Sequence, residues 1–200
     1  MSRARQPFQA VERLAVESYE PGAYASGLRA GDFILTHGRA WTSRLIRFGQ
    51  RLRIHGDDRK YTRWNHVALI VHESGDLVEA LGAGVTRRKI AAYDATEYQL
   101  VRITASDEDR EQVVAFAEWS VGQPYAWLTI VSIALSLLTG AKFTFAYEGQ
   151  HICSGLVARA LERTGTIFNR TPSHIMPADL AKYFSVEPPP PSTPSGTPPP

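Results

Sequence analysis

The stretch GQHICSGLVARALERTG, residues 149–165, contains the clearest helical pattern in the second half of the chain. Gly149 interrupts the chain shortly before Cys153, and an apolar stripe at helical spacing follows. The stripe consists of Ile152, Leu156, Val157, Ala160 and Leu161. This spacing predicts a helix of about three turns that packs on a core and begins close to Cys153.

Cys153 is the only cysteine of the chain, and it stands in the first turn of this predicted helix. A single cysteine cannot form an intramolecular disulfide, so no oxidising compartment is indicated. Unpaired N–H groups at a helix N-terminus stabilise a thiolate, and a neighbouring imidazolium adds to that effect. A buried, inert cysteine is the alternative interpretation, and a nearby base would decide between the two.

The rest of the chain gives strands first and helices afterwards, which predicts an α+β fold with an antiparallel sheet or small barrel packed against helices. Strands are predicted at 31–38 and 98–104, and a hairpin with a two-residue turn at Ser74-Gly75. Helices are predicted at 41–53, after a capping Ser106, and around Pro177. Residues 1–187 are expected to form one domain, and the Pro-rich residues 188–200 a disordered tail.

Composition limits the classes of partner and compartment. The 200 residues are 44% hydrophobic and 21% charged, with a net charge of only +2, so nucleic acid is not an expected partner. The N-terminus lacks an apolar run of signal-peptide length, which predicts a cytoplasmic protein. Ala126–Leu138 is apolar but shorter than the ~20 residues of a membrane span. Residues 39–63 are rich in arginine, which favours either a solvated face or a contact with an anionic substrate or lipid headgroup.

Histidines supply the candidate base. His66 opens the apolar strand in NHVALIV, which places it on a rigid element. His151 lies two residues before Cys153, but one cysteine and one neighbouring histidine fall short of a zinc ligand set. We therefore expect no metal and no cofactor.

Four motifs resemble those of the NlpC-type papain-like cysteine peptidases. They are GQPYAW (122–127), CSGLV (153–157), GDFIL (31–35) and HVALIVHESGDLVEALGAGV (66–85). The strand motifs precede the cysteine helix here, an order similar to the circularly permuted, YiiX-like branch of that superfamily. The resemblance covers roughly residues 28–185 and implies a permuted papain-like fold.

The resemblance also implies roles for individual residues. Cys153 would be the nucleophile, His66 its general base and Glu79 the polar residue that orients the imidazole. Tyr125 matches the family tyrosine near the oxyanion site. The physical chemistry is consistent, since a thiolate–imidazolium pair attacks a carbonyl while a carboxylate fixes the ring tautomer.

The chain departs from the family pattern in three places. Ile152 replaces the aspartate that usually precedes the cysteine, and Leu128-Thr129 replace a glycine pair. In addition, a two-residue turn at Ser74-Gly75 would pair Glu79 with Ile70, roughly 13 Å along the strand from His66. A bulge, a strong twist or a different register is needed to bring Glu79 to the imidazole, and otherwise it is a solvated strand residue.

These observations predict a cysteine hydrolase that cleaves an amide of a small peptide or muropeptide-like substrate through an acyl-enzyme on Cys153. A lipid acyltransferase or deacylase with the same Cys–His pair is an alternative, favoured by the apolar 126–138 segment and by the basic 39–63 region, which allow a lipid or membrane-surface contact. A catalytically idle binding module is the third possibility. The sequence leaves the oligomeric state open.

Overall fold

The computed structural model describes residues 15–37, 41–124 and 152–188. The strands are β1 (Ala15–Tyr19), β2 (Phe33–Thr36), β3 (His66–His72), β4 (Asp76–Leu81), β5 (Gly84–Lys89) and β6 (Tyr98–Arg102). The α-helices are α1 (Trp41–Arg53), α2 (Asp107–Trp119), α3 (Cys153–Leu161) and α4 (Pro177–Tyr183), and short 3-10 segments lie at Gly56–Arg63, Ile90–Tyr93, Glu162–Thr164 and Pro172–His174. The predicted α+β class is confirmed.

The strands form one antiparallel sheet in the order β1-β6-β2-β3-β4-β5. Within the described ranges β1 and β5 each pair with one neighbour, so the pairing is that of an open sheet. The sequence patterns did not predict these two end strands. Both expose part of their side chains, and their sequences therefore lack the continuous apolar runs of the central strands.

The central strands β2 and β3 are buried on both faces. One face packs on α2, α3 and α4 around a core that includes Phe33, Leu69 and Leu156. The other face holds a smaller core that includes Ile34, Tyr93 and Tyr98. Because both faces are covered, the strand sequences FILT and HVALIV read as apolar runs rather than as alternating patterns.

A buried ion pair attaches α2 to the sheet. Oδ1 of Asp32, directly before β2, accepts a hydrogen bond from Nη1 of Arg110 (2.9 Å) and another from the backbone N–H of Ile103 (3.1 Å). Both side chains of the pair are buried. The aspartate of the GDFIL motif therefore has a structural role in this chain.

The helix predictions are confirmed where the structure describes them. The Ser106 hydroxyl accepts a hydrogen bond from the N–H of Asp109 (3.1 Å) and caps α2, and Pro177 is the first residue of α4. Buried Gln50 of α1 donates to the carbonyl of Trp64 and accepts from the N–H of Ala178, each at 2.9 Å. This side chain joins α1 to the start of α4.

The predicted two-residue turn between β3 and β4 is wrong. His72 pairs with Asp76, so three residues, 73–75, form the turn, and Gly75 adopts a φ of +84° that favours glycine. A hydrogen bond from the Ser74 N–H to Nδ1 of His72 (3.1 Å) stabilises this longer turn. A register shift between Ile70 and His72 then moves the pairing by one more residue.

Some predictions fall on residues that the structure does not describe. They concern Tyr125, the apolar segment 126–138 and the tail beyond Pro188. Of the helices that are described, none has both the length and the apolar character needed to cross a lipid bilayer.

Candidate active site

Cys153 is the first residue of α3. The helix begins at once, since the N–H of Leu156 donates to the carbonyl of Ile152 at 2.9 Å. The first N–H groups of a helix have no intrahelical acceptor, and they give its N-terminus a partial positive charge. The sulfur therefore lies where a thiolate is stabilised, and only 1% of the residue's surface is exposed.

The two residues after the cysteine are small because the chain is tightly packed there. The Ser154 hydroxyl donates to the carbonyl of Ile175 at 2.5 Å. A Cβ on Gly155 would lie 3.0 Å from the carbonyl oxygen of Pro172. The CSG sequence thus fits the segment 172–175 against the first turn of α3 and fixes the position of the thiol.

His66 is the first residue of β3 and is 5% exposed. Its Nε2 lies 2.5 Å from Oε2 of Glu79 on β4. The Cys153 side chain also lies close enough to the ring to interact with it electrostatically. Because Nε2 is engaged by the carboxylate, Nδ1 is the ring nitrogen that is left for the sulfur. The structure therefore brings Cys153, His66 and Glu79 together.

Electrostatics favour the charged form of the imidazole. Burial by itself would lower the pKa of His66, but the hydrogen bonds and charges of Cys153 and Glu79 raise it to about 10. Burial also acts to raise the pKa of Glu79, and this effect is outweighed by His66, Tyr93 and Arg88, so that the pKa lies below its ordinary value. The two shifts favour a carboxylate at Glu79 and an imidazolium at His66.

The corrected register explains how Glu79 reaches the ring. Val78 pairs with Leu69, and one further step along the strands places Glu79 opposite Ala68 rather than Ile70. The longer turn and the register shift each move the pairing by one residue. Glu79 is then two residues from His66 on the same face, about 7 Å along the strand, a gap that the two side chains close.

Sequence reasoning missed two further residues at this carboxylate. The Tyr93 hydroxyl donates to Oε2 of Glu79, and the Tyr93 ring stacks on the imidazole of His66 with centroids 6.1 Å apart. Nε of Arg88 lies 3.6 Å from Oε1 of Glu79, and the guanidinium lies over the Tyr93 ring. Neither residue belongs to a recognisable motif. The only signals in the sequence that could have indicated them are the alternation of side chains along β5, which includes Arg88, and the presence of a tyrosine shortly after that strand.

The site lies where the two cores of the domain meet. Cys153 belongs to the core on the helical face of the sheet, whereas Tyr93 belongs to the core on the opposite face. His66 interacts with both residues from the end of a central strand. The site is therefore supported by packing on both sides of the sheet.

The described residues contain no group of three or more His, Cys, Asp or Glu side chains that could hold a metal ion. Fold and site together define an α+β protein in which a cysteine at the N-terminus of a helix lies beside a buried His–Glu pair. No protein-family model matches the chain, and no curated protein matches it either.

Proposed function

We propose that the protein is a thiol hydrolase of permuted papain-like fold that cleaves amide bonds through an acyl-enzyme on Cys153. The observation that carries the proposal is the arrangement of the thiol at the start of α3 with the buried His66–Glu79 pair beside it. The resemblance of the CSGLV and HVALIV segments to NlpC-type peptidases supports the same assignment.

The chemistry follows from the protonation states. The thiolate of Cys153 attacks the carbonyl carbon, a C–S bond forms, and the C–N bond breaks as His66 protonates the leaving amine. A water molecule then attacks the thioester, His66 accepts its proton, and the thiolate leaves. Glu79 keeps the ring oriented in both steps, and the N–H of Cys153 is suited to stabilise the oxyanion. Tyr125, expected near the oxyanion, remains a prediction, because it lies outside the described residues.

The acyl-enzyme provides a direct test of this function. Incubation with small amide, ester and thioester probes should produce an acyl adduct that intact-mass spectrometry detects. Because Cys153 is the only cysteine, a hydroxylamine-labile adduct that disappears in Cys153→Ser is assigned to this residue without mapping. No adduct and no turnover with any probe would contradict the hydrolase proposal and favour an idle binding module.

One observation favours the second candidate function, a lipid acyltransferase or deacylase. Arg44, Phe48 and Leu52 recur every four residues along α1, and Arg51 lies beside them. Phe48 and Leu52 are 48% and 37% exposed, both arginines are exposed, and α1 contains no acidic residue. Apolar side chains between arginines are typical of a helix that lies on an anionic membrane surface.

Vesicle binding tests this candidate. We expect the protein to sediment with phosphatidylserine-containing vesicles and not with pure phosphatidylcholine. Arg44→Gln combined with Arg51→Gln should weaken binding about 30-fold, at about 1 kcal/mol for each arginine. The matched control removes two exposed charges elsewhere, with Arg29→Gln and Lys89→Gln, and should retain binding. Equal loss in both variants would show non-specific attraction and leave the amide hydrolase as the better proposal.

A further inference from the structure

We propose that Tyr93 is a positioning residue that holds the Glu79 carboxylate in the orientation required by His66. The inference rests on the proposed function, because it assigns a second supporting contact to the same thiol–imidazole site. It concerns a residue that no motif of the sequence marks.

The contacts that carry the inference converge on one carboxylate oxygen. Oε2 of Glu79 receives both the Nε2 contact of His66 and the hydroxyl hydrogen bond of Tyr93. Glu79 is fully buried, and its other oxygen, Oε1, has no hydrogen-bond partner among the described residues. Arg88 stays 3.6 Å from that oxygen, beyond hydrogen-bond distance. Tyr93 is therefore the only described neutral donor that holds the carboxylate in place.

Tyr93 is itself well fixed. Its side chain is buried in the smaller core, and its ring lies nearly parallel to the His66 ring, with 25° between the planes. Burial, together with the charge and hydrogen bond of Glu79, raises the pKa of the Tyr93 hydroxyl well above its ordinary value. The phenol is therefore held as a hydrogen-bond donor to the carboxylate.

Loss of the hydroxyl has a predictable consequence. The carboxylate would keep its hydrogen bond to His66 and the longer ion-pair contact to Arg88, but it would be free to rotate about its terminal bond, so the imidazolium would lose its ordered partner for part of the time. Across the elements packed around the ring, the described titratable and charged groups are Cys153 on α3, Glu79 on β4, Arg88 on β5 and Tyr93 in the 3-10 segment after β5. The Tyr93→Phe substitution removes a hydroxyl from this set of groups and changes none of its charges.

The experiment compares Tyr93→Phe with Tyr98→Phe in the full-length protein. Tyr98 is also buried in the smaller core, but its hydroxyl bonds to the backbone of Ala23 and Ala25, away from the site. For each protein, the rate of iodoacetamide alkylation at Cys153 is measured against pH, and thermal unfolding is recorded in parallel. Iodoacetamide is used because it is small and the thiol is nearly buried.

We expect Tyr93→Phe to move the midpoint of the alkylation profile to higher pH by up to about one unit, the shift that corresponds to loss of one buried hydrogen bond. Tyr98→Phe should lower the unfolding temperature about as much as Tyr93→Phe does, and it should leave the midpoint of the alkylation profile unchanged. An unchanged midpoint in Tyr93→Phe, or a shift to lower pH, would overturn the positioning role. A parent protein whose alkylation follows an ordinary thiol would contradict the proposed function instead, so the two failures are distinguishable.

Discussion

Two buried carboxylates lie on the central sheet, and they differ in the partner that neutralises them. Asp32 is paired with Arg110, whose guanidinium cannot lose its charge at any pH at which proteins fold. Glu79 is paired with His66, whose imidazole can lose its charge. His66 also interacts with Cys153, the only thiol of the chain. Both carboxylates are fully buried, so burial and pairing alone do not identify a functional site.

The partner of each carboxylate determines which chemistry its site can perform. The Asp32–Arg110 ion pair stabilises the attachment of α2 to the sheet. A carboxylate beside a titratable ring sets that ring's charge, and through it the state of the thiol. Neutralising Asp32 should therefore mainly reduce stability, whereas neutralising Glu79 should mainly reduce the reactivity of Cys153.

Asp32→Asn should change the protein more than any other variant discussed below, and the change should be in stability. The substitution leaves the buried Arg110 charge without its partner, which costs about 3–5 kcal/mol of unfolding free energy. Urea unfolding followed by circular dichroism measures this loss. At low temperature, where the variant is folded, its alkylation midpoint at Cys153 should equal that of the parent protein. A changed midpoint would show that the two carboxylates are coupled.

Glu79→Gln should have the next largest effect, and the effect should be on reactivity. Without the carboxylate, His66 loses its orientation and one of the two groups that raise its pKa, so acylation of Cys153 should slow by about 100-fold or more. The loss of stability should be smaller than in Asp32→Asn, because a buried imidazole can shed its charge whereas a guanidinium cannot. Acylation rates and urea unfolding on the same samples check both parts. A stability loss as large as that of Asp32→Asn would remove the distinction between the two sites.

The smallest expected effect is the pH dependence of stability. The raised pKa of His66 stabilises the folded protein fully below pH 6.5, its ordinary pKa, and this contribution is lost as pH rises through about 10. The unfolding free energy of Cys153→Ser, in which no thiol titrates beside the ring, should therefore fall as pH rises above 6.5, and urea titration measures it. Adding His66→Gln to this variant should flatten the slope. If the slope persists after His66→Gln, the pH dependence of stability comes from other groups.

Much of the fold could be predicted from local signals, and the site only in part. The apolar run at 66–72, the cap at Ser106 and Pro177 marked their elements because burial, capping and a fixed φ act within a few residues. The end strands β1 and β5 were missed, since their half-exposed sequences carry weak patterns.

At the site, the thiol and His66 stand out in the sequence, but the contact of Glu79 depends on the register of the hairpin. That register follows from a three-residue turn with Gly75 at positive φ and from the shift between Ile70 and His72, and neither could be read from the Ser74-Gly75 dipeptide. Tyr93 reaches the carboxylate from a short 3-10 segment on the face of the sheet opposite to the helix that carries Cys153. Such a contact is set by tertiary packing and leaves no local signature.

The thiolate–imidazolium pair requires a charged His66 ring. Nitrogen-15 shifts of the imidazole between about pH 5 and 11 measure this charge without requiring access to the buried thiol. We expect the ring to remain an imidazolium through neutral pH and to lose its proton near pH 10. In Cys153→Ser the titration should move to lower pH, because the thiolate no longer contributes. A His66 ring that titrates near 6.5, its ordinary value, in both proteins would contradict the thiolate–imidazolium pair and with it the proposed nucleophile.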